Sequence, residues 1–198
     1  MHRPPRTRAN FGFGTLDSGR SRRRESISPA KLAHVVLRTK RLGELVSWYE
    51  TVLGARVAFR NDLIAFLTYD DEQHRIAFVH SPSFVDRPEN AVDLEHFADT
   101  FSTPGELLQT YERLSLKGIE PFRCVNHGPT TSLHYRDPER NRVELQIDNF
   151  QDASRLAAWF ASGAFAKNPI GVNCDPEKLL ARWENGDSED ELIRQGSA

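Results

Sequence analysis

Residues 33–54 read AHVVLRTKRLGELVSWYETVLG. The opening Ala33-His34-Val35-Val36-Leu37 is a short β-branched run, which predicts a strand. Behind it, Leu42, Leu45, Val46, Tyr49, Val52 and Leu53 recur at helical spacing and define one apolar face. Gly54 ends that helix, as a residue that tolerates positive φ should. Three extended runs follow, Arg56–Arg60, Leu63–Tyr69 and Arg75–His80, separated by turns at Asn61-Asp62 and Asp70-Asp71.

The next sixty residues repeat this order. Leu94–Phe101 reads as a strand. Thr103-Pro104-Gly105-Glu106 is a capping box with proline at the first helical position. Leu107, Leu108, Tyr111 and Leu114 make the buried stripe, and Gly118 closes the helix. Three extended runs come after it: Pro121–Val125, Thr131–Tyr135 and Arg142–Ile147. The core is therefore β-α-β-β-β twice, an α+β arrangement in which two modules side by side form a curved mixed sheet with one cleft. His34 lies 20 residues ahead of Gly54, and His96 lies 22 ahead of Gly118, so the two histidines occupy matching points.

Composition sets the flanks. Residues 1–30 carry seven arginines against Asp17 and Glu25, a balance of +5, with five prolines and glycines up to Gly19 and no apolar period. They read as a disordered basic arm. The whole chain has a net charge of −2, so the remainder carries −7 and offers no basic field for nucleic acid. Residues 31–150 read as the folded domain, in modules 31–90 and 91–150. Residues 151–198 read as a helical extension, apolar from Ala153 to Phe165 and ending in a fraying acidic tail. No run reaches the roughly 18 apolar residues of a membrane span. Two cysteines, Cys124 and Cys174, cannot make a disulfide scaffold, and a reducing cytoplasmic setting is expected.

Six of the seven histidines fall between residues 34 and 134. His34 and His96 are imidazoles at the first strands of the two halves. Glu144 stands between Val143 and Leu145, and strand alternation aims it to the opposite face. If that face is covered, the carboxylate needs a partner, because burying it unpaired is costly. A metal held by His34, His96 and Glu144 would be such a partner, and two histidines plus a carboxylate form the open-sided triad of non-haem iron oxygenases. The other reading makes Glu144 solvent-facing and the histidines satisfied core residues.

The segments Leu32–Leu37, Leu94–Ala98 and Asp137-Pro138-Glu139-Arg140-Asn141-Arg142-Val143-Glu144-Leu145 resemble the three signatures of the vicinal oxygen chelate superfamily. Within it, Asn126–Pro138 is similar to single-domain extradiol ring-cleaving dioxygenases of the catechol 2,3-dioxygenase and biphenyl-2,3-diol 1,2-dioxygenase types. The resemblance covers residues 31–150 and implies the paired-module fold around a metal-containing cleft. It also implies Fe(II), with Mn(II) as the alternative ion, held by His34, His96 and Glu144, and a catecholic diol and O2 as reactants. His74 matches the histidine placed near bound dioxygen, and His127 the one that hydrogen-bonds the substrate hydroxyl. His134 stands where the family usually has tyrosine, a departure that makes it a pH-sensitive donor. Glu139-Arg140 replaces the usual aspartate and glycine, a surface change. Family habit and the apolar extension suggest a homodimer.

Aligning the repeat places Arg75-Ile76-Ala77 over Arg142-Val143-Glu144, so Ala77 fills the slot in which glyoxalase-like relatives carry a fourth ligand. Three ligands suit a bidentate diol plus O2. A glyoxalase-like isomerase or lyase, and a metal-free binding or resistance module, are the competing readings. Phe66, Phe78 and Phe97 are candidates for a ring pocket or for the core.

Overall fold

The computed structural model describes residues 26–198. The greater part of the basic arm lies outside them. The first module runs β1 (Val35–Thr39), α1 (Leu42–Leu53), β2 (Arg56–Arg60), β3 (Ile64–Thr68) and β4 (Ile76–His80). Alternation along β1 buries Leu37 and Thr39 and leaves Val36 and Arg38 outside. On α1 the predicted stripe is buried at Leu42, Leu45, Val46, Tyr49 and Val52, and Gly54 closes it in the left-handed region at φ 63. Each such aliphatic side chain contributes roughly 1.5–3 kcal/mol by leaving water. The Asn61 side chain makes the β2–β3 turn, accepting from the backbone N–H of Leu63 and Ile64 at 2.9 and 2.8 Å.

The second module repeats the plan as β5 (Phe97–Phe101), α2 (Pro104–Ser115), β6 (Arg123–Asn126), β7 (Thr130–Arg136) and β8 (Arg142–Asp148). Helix α2 buries Leu107, Leu108, Tyr111 and Leu114, as predicted. Thr103 accepts from the Glu106 N–H, but the Glu106 carboxylate reaches one residue further back, to the Ser102 N–H at 2.8 Å. The helix ends at Ser115, three residues short of Gly118, whose positive φ of 72 turns the chain toward β6.

The modules keep separate ladders. One sheet has the order β1-β4-β3-β2. The other has β5-β8-β7-β6, with β9 (Val172–Asn173) added from the C-terminal extension. In each, the first strand pairs in parallel with the last and forms an edge. Val36 stands opposite Ala77, and Ala98 opposite Glu144. The backbone register thus reproduces the repeat alignment and makes Ala77 the structural counterpart of Glu144.

Side chains from the loop before β8 clasp the first module. Tyr49, fully buried, donates its hydroxyl to Asp137 Oδ2 at 3.1 Å and stacks on Phe97. Glu139 Oε1 accepts from Thr39 Oγ1 at 2.8 Å and from the Lys40 N–H at 3.0 Å, and Arg41 pairs with the same carboxylate. Glu139 is therefore a joint between modules and not the surface change expected of it. Burial pushes its carboxyl up, but the hydrogen bonds from Arg41 and Thr39 outweigh this and hold it below the usual range. Tyr69 adds a third tie, donating to Asp99 at 2.6 Å.

The extension folds as α3 (Ala153–Ala161), α4 (Ala164–Lys167), β9, α5 (Pro176–Glu184) and α6 (Glu189–Leu192). Gly163, at φ 75, splits the single helix expected over 153–165. The acidic end carries the short helix α6. Ser188 and Glu191 form a capping box, and Leu192 is buried against the core. No helix among the described residues is long and apolar enough to cross a membrane.

Candidate metal centre

Strand pairing assembles a cluster on one face of the second sheet. His134 on β7 lies directly across from Glu144 on β8, and Glu144 lies across from Ala98 on β5. His96 precedes β5 by one residue, two positions from Ala98, which puts it on the same face as Glu144. His96 Nε2 sits 2.8 Å from Glu144 Oε2. One ligand atom each from His96, His134 and Glu144 lie within 4.8 Å of one another. Glu144 and His134 are buried, at 5% and 6% exposure, while His96 keeps 38% of its side chain open.

This cluster is short of partners. His134 Nε2 is buried with no hydrogen bond among the described residues. A buried polar atom left unpaired costs about 1–3 kcal/mol. Burial holds the His134 imidazole below its ordinary pKa. The Glu144 carboxylate pulls the other way, and His96, His127 and Arg123 add to the lowering. The Glu144 carboxylate and the His96 imidazole converge closely enough to suit a divalent cation, and the orphaned His134 nitrogen beside them is left for a bound ligand.

The other expected residues divide into two places. The His127 ring lies 6.0 Å from His134, nearly perpendicular to it. Its Nδ1 meets the Ile170 carbonyl at 2.7 Å, so the neutral ring donates there and keeps Nε2 as its lone-pair nitrogen. The C-terminal extension thus holds His127 in place. Gly171 packs so closely on Asn126 and His127 that an added Cβ would fall 2.4 Å from the Asn126 carbonyl oxygen, and Trp159 covers Gly128 in the same way. Sequence reading missed this support because a backbone carbonyl leaves no mark in a sequence. The only available signal was the glycine at 128, which adopts φ 97.

His34 and His74 stand on the first sheet instead. Their rings are 4.3 Å apart, and Phe66 stacks on His74 at 4.4 Å. His34 is exposed and lies outside the cluster formed by His96, His134 and Glu144. Burial, with His34 beside it, pushes the His74 pKa down. The register explains the contrast between the sheets: Phe66 faces Ala77 where His134 faces Glu144. One module thus carries a ligating pair and the other its apolar counterpart. Of the aromatic candidates, Phe78 is fully buried beside Tyr49 and Phe97 packs on the same ring, so both belong to the core. Tyr135, on the face opposite His134, is buried in the core as alternation predicts.

Known proteins resemble this chain along most of its length. It is 45% identical over 147 residues to biphenyl-2,3-diol 1,2-dioxygenase 2 of Rhodococcus globerulus, covering 74% of this chain and 77% of that one. It is 42% identical over 170 residues to biphenyl-2,3-diol 1,2-dioxygenase 3 of the same organism, covering 85% and 90%. Among solved structures, a glyoxylase/bleomycin resistance protein/dioxygenase domain from Frankia sp. EAN1pec superposes with a TM-score of 0.51 at 19% identity, over 61% of this chain and 99% of that one, and so shares the fold. The family described as the Glyoxalase/Bleomycin resistance protein/Dioxygenase superfamily matches residues 31–145, and the chain belongs to it.

Proposed function

We propose that this protein is an extradiol ring-cleaving dioxygenase that inserts both atoms of O2 into a catechol-type diol such as 2,3-dihydroxybiphenyl. The observation that carries this reading is the identity of 42–45% to two biphenyl-2,3-diol 1,2-dioxygenases, over a stretch that includes the histidine and glutamate cluster. His96 and Glu144, with His34 from the first sheet as the third ligand, would hold Fe(II), with Mn(II) as the alternative ion. When bound, the ion acidifies a diol hydroxyl and supplies the redox centre for dioxygen.

The side chains have distinct tasks. Glu144 and His96 bind, and the burial of Glu144 keeps water from competing for its carboxylate. His127 faces the diol through Nε2, since Nδ1 is engaged by Ile170, and accepts or returns a hydroxyl proton. His134, kept neutral by burial, offers Nε2 to the second diol oxygen. His74, neutral for the same reason, is the acid–base group on the opposite sheet. Ala77 stands at the register position that Glu144 occupies in the second module, so that position would offer a metal no fourth, carboxylate ligand, which argues against an isomerase.

The test uses anaerobically purified protein loaded with Fe(II). About one ion per chain and a yellow ring-cleavage product from 2,3-dihydroxybiphenyl in air are expected, and Glu144→Ala should abolish both. Normal folding with no iron uptake under iron-replete conditions would refute the enzyme reading.

A further inference from the structure

Cys124 and Cys174 meet where the C-terminal extension joins the second sheet. Strand β9 pairs antiparallel with β6, Val125 opposite Asn173 and Asn126 opposite Val172. One step further along this register sets Cys124 against Cys174, and the Cys174 N–H donates to the Cys124 carbonyl at 3.2 Å. Directly opposed residues in such a hydrogen-bonded pair have Cα atoms about 5.5 Å apart and side chains on the same face. That separation falls within the roughly 4.4–6.8 Å that a disulfide spans. Both thiols are half-buried and pack against the hydrophobic core. After burial, the nearby Cys174 is the next cause that raises the Cys124 pKa, as two adjacent thiols require. Neither cysteine belongs to the cluster of His96, His134 and Glu144.

We propose that Cys124 and Cys174 are a site of reversible disulfide formation that fastens the C-terminal extension to β6. The oxidant is a low-molecular-weight disulfide such as glutathione disulfide. The Cys174 thiolate attacks one of its sulfurs, which forms a mixed disulfide and releases one glutathione. The Cys124 thiolate then displaces the second glutathione and closes the bond between the two cysteines. Two electrons pass from the protein to the oxidant, and the two thiol protons end on the released glutathione thiolates. Burial pushes the Cys124 and Cys174 thiols up to about 12 and about 11, so thiolate is scarce and closure at neutral pH is slow. Cβ atoms facing each other across a sheet are about 4.5–5.5 Å apart, whereas a relaxed bridge holds them near about 3.8 Å. Closing the bond draws the two strands together, and that strain makes it readily reduced. Cys174 follows Ile170, whose carbonyl engages His127 Nδ1, and Cys124 precedes His127 on β6 and its turn. Closure therefore fixes the segment that orients His127.

The test incubates the folded, reduced protein overnight with millimolar glutathione disulfide at mildly alkaline pH and reads thiol content and intact mass. Both thiols should disappear, the mass should fall by two hydrogen atoms, and peptide mapping should join the Cys124 and Cys174 peptides. The bridged protein should melt about 4–8 °C above the reduced form. Its amides over 168–174 should exchange more slowly, and excess reduced glutathione should return both thiols. Cys174→Ser, treated in the same way, should lose no mass and gain no Tm. Both thiols surviving in the folded protein would overturn the proposal, as would glutathione adducts or interchain dimers in place of the bridge. A bridge that resists excess reduced glutathione would overturn its reversibility. An unchanged Tm and unchanged amide exchange in bridged protein would overturn the fastening of the extension.

Discussion

Replacing Tyr49 with phenylalanine removes one oxygen atom from the joint between the modules. The hydroxyl donates to Asp137 Oδ2 at 3.1 Å, and both side chains are buried, at 0% and 4% exposure. A hydrogen bond to a charged group contributes about 1.5–3 kcal/mol. Asp137 does not become orphaned, because Asn141 Nδ2 still donates to Oδ2 at 2.7 Å, and Oδ1 still accepts from the Glu139 and Asn141 N–H groups at 2.9 and 2.8 Å. The loss should therefore sit at the lower end, about 1.5 kcal/mol. For a chain of this size that lowers Tm by roughly 3–6 °C. Burial is the main force pushing the Asp137 pKa up, against the hydrogen bonds it accepts, so urea unfolding of both chains is compared at one fixed pH. Paired with Asp137→Asn in a double-mutant cycle, the coupling should be about 1 kcal/mol. A loss below about 0.5 kcal/mol for Tyr49→Phe, or a coupling indistinguishable from zero, would refute the idea that this bond clasps the modules.

Two further outcomes follow from local geometry. Arg140 adopts φ 67 in the loop before Glu144, and its nearest acid, Glu89, is 3.7 Å away on the exposed surface. Arg140→Gly should raise stability by about 0.5–1 kcal/mol, since left-handed strain is relieved and the greater freedom of unfolded glycine returns part of the gain. Arg140→Ala serves as the control and should not stabilise; a gain from alanine equal to that from glycine would rule out backbone strain as the cause. Asp70 is held down to about 2, chiefly by its hydrogen bonds from Arg75. A carboxyl with a depressed folded pKa stabilises above its unfolded value near 3.8 and loses that contribution as pH falls toward 2. Asp70→Asn should therefore be less stable than wild type at neutral pH, and the difference should vanish near pH 2. A difference that persists unchanged at that pH would show that the charge is not responsible.

Local patterning fixed much of the plan. The apolar stripe from Leu42 to Val52, the left-handed cap at Gly54 and the Thr103–Glu106 start of α2 depend on nearest neighbours and on helical period, which a sequence displays directly. The correspondence of Ala77 with Glu144 was legible for the same reason: each sits one residue after an apolar strand position in a repeated element, and the ladder registers follow. The alternation that sends Glu144 and Tyr135 to opposite faces was equally plain.

Other features depend on what meets across space. Glu139 reads as a surface change in sequence, yet it caps the end of β1 from 99 and 100 residues away. His127 reads in sequence as a partner for the substrate hydroxyl, but its tautomer is set by a carbonyl 43 residues later. His134 joins Glu144 because β7 and β8 are antiparallel and in that register, whereas His34, just ahead of β1, goes with the other sheet and lies against His74. The sequence by itself determined the identities, the period and the order of the elements, since these are set by side-chain chemistry and spacing along the chain. Which histidines share a site was decided only by tertiary structure, because the docking of two similar modules depends on a few buried hydrogen bonds whose partners lie far apart in the chain.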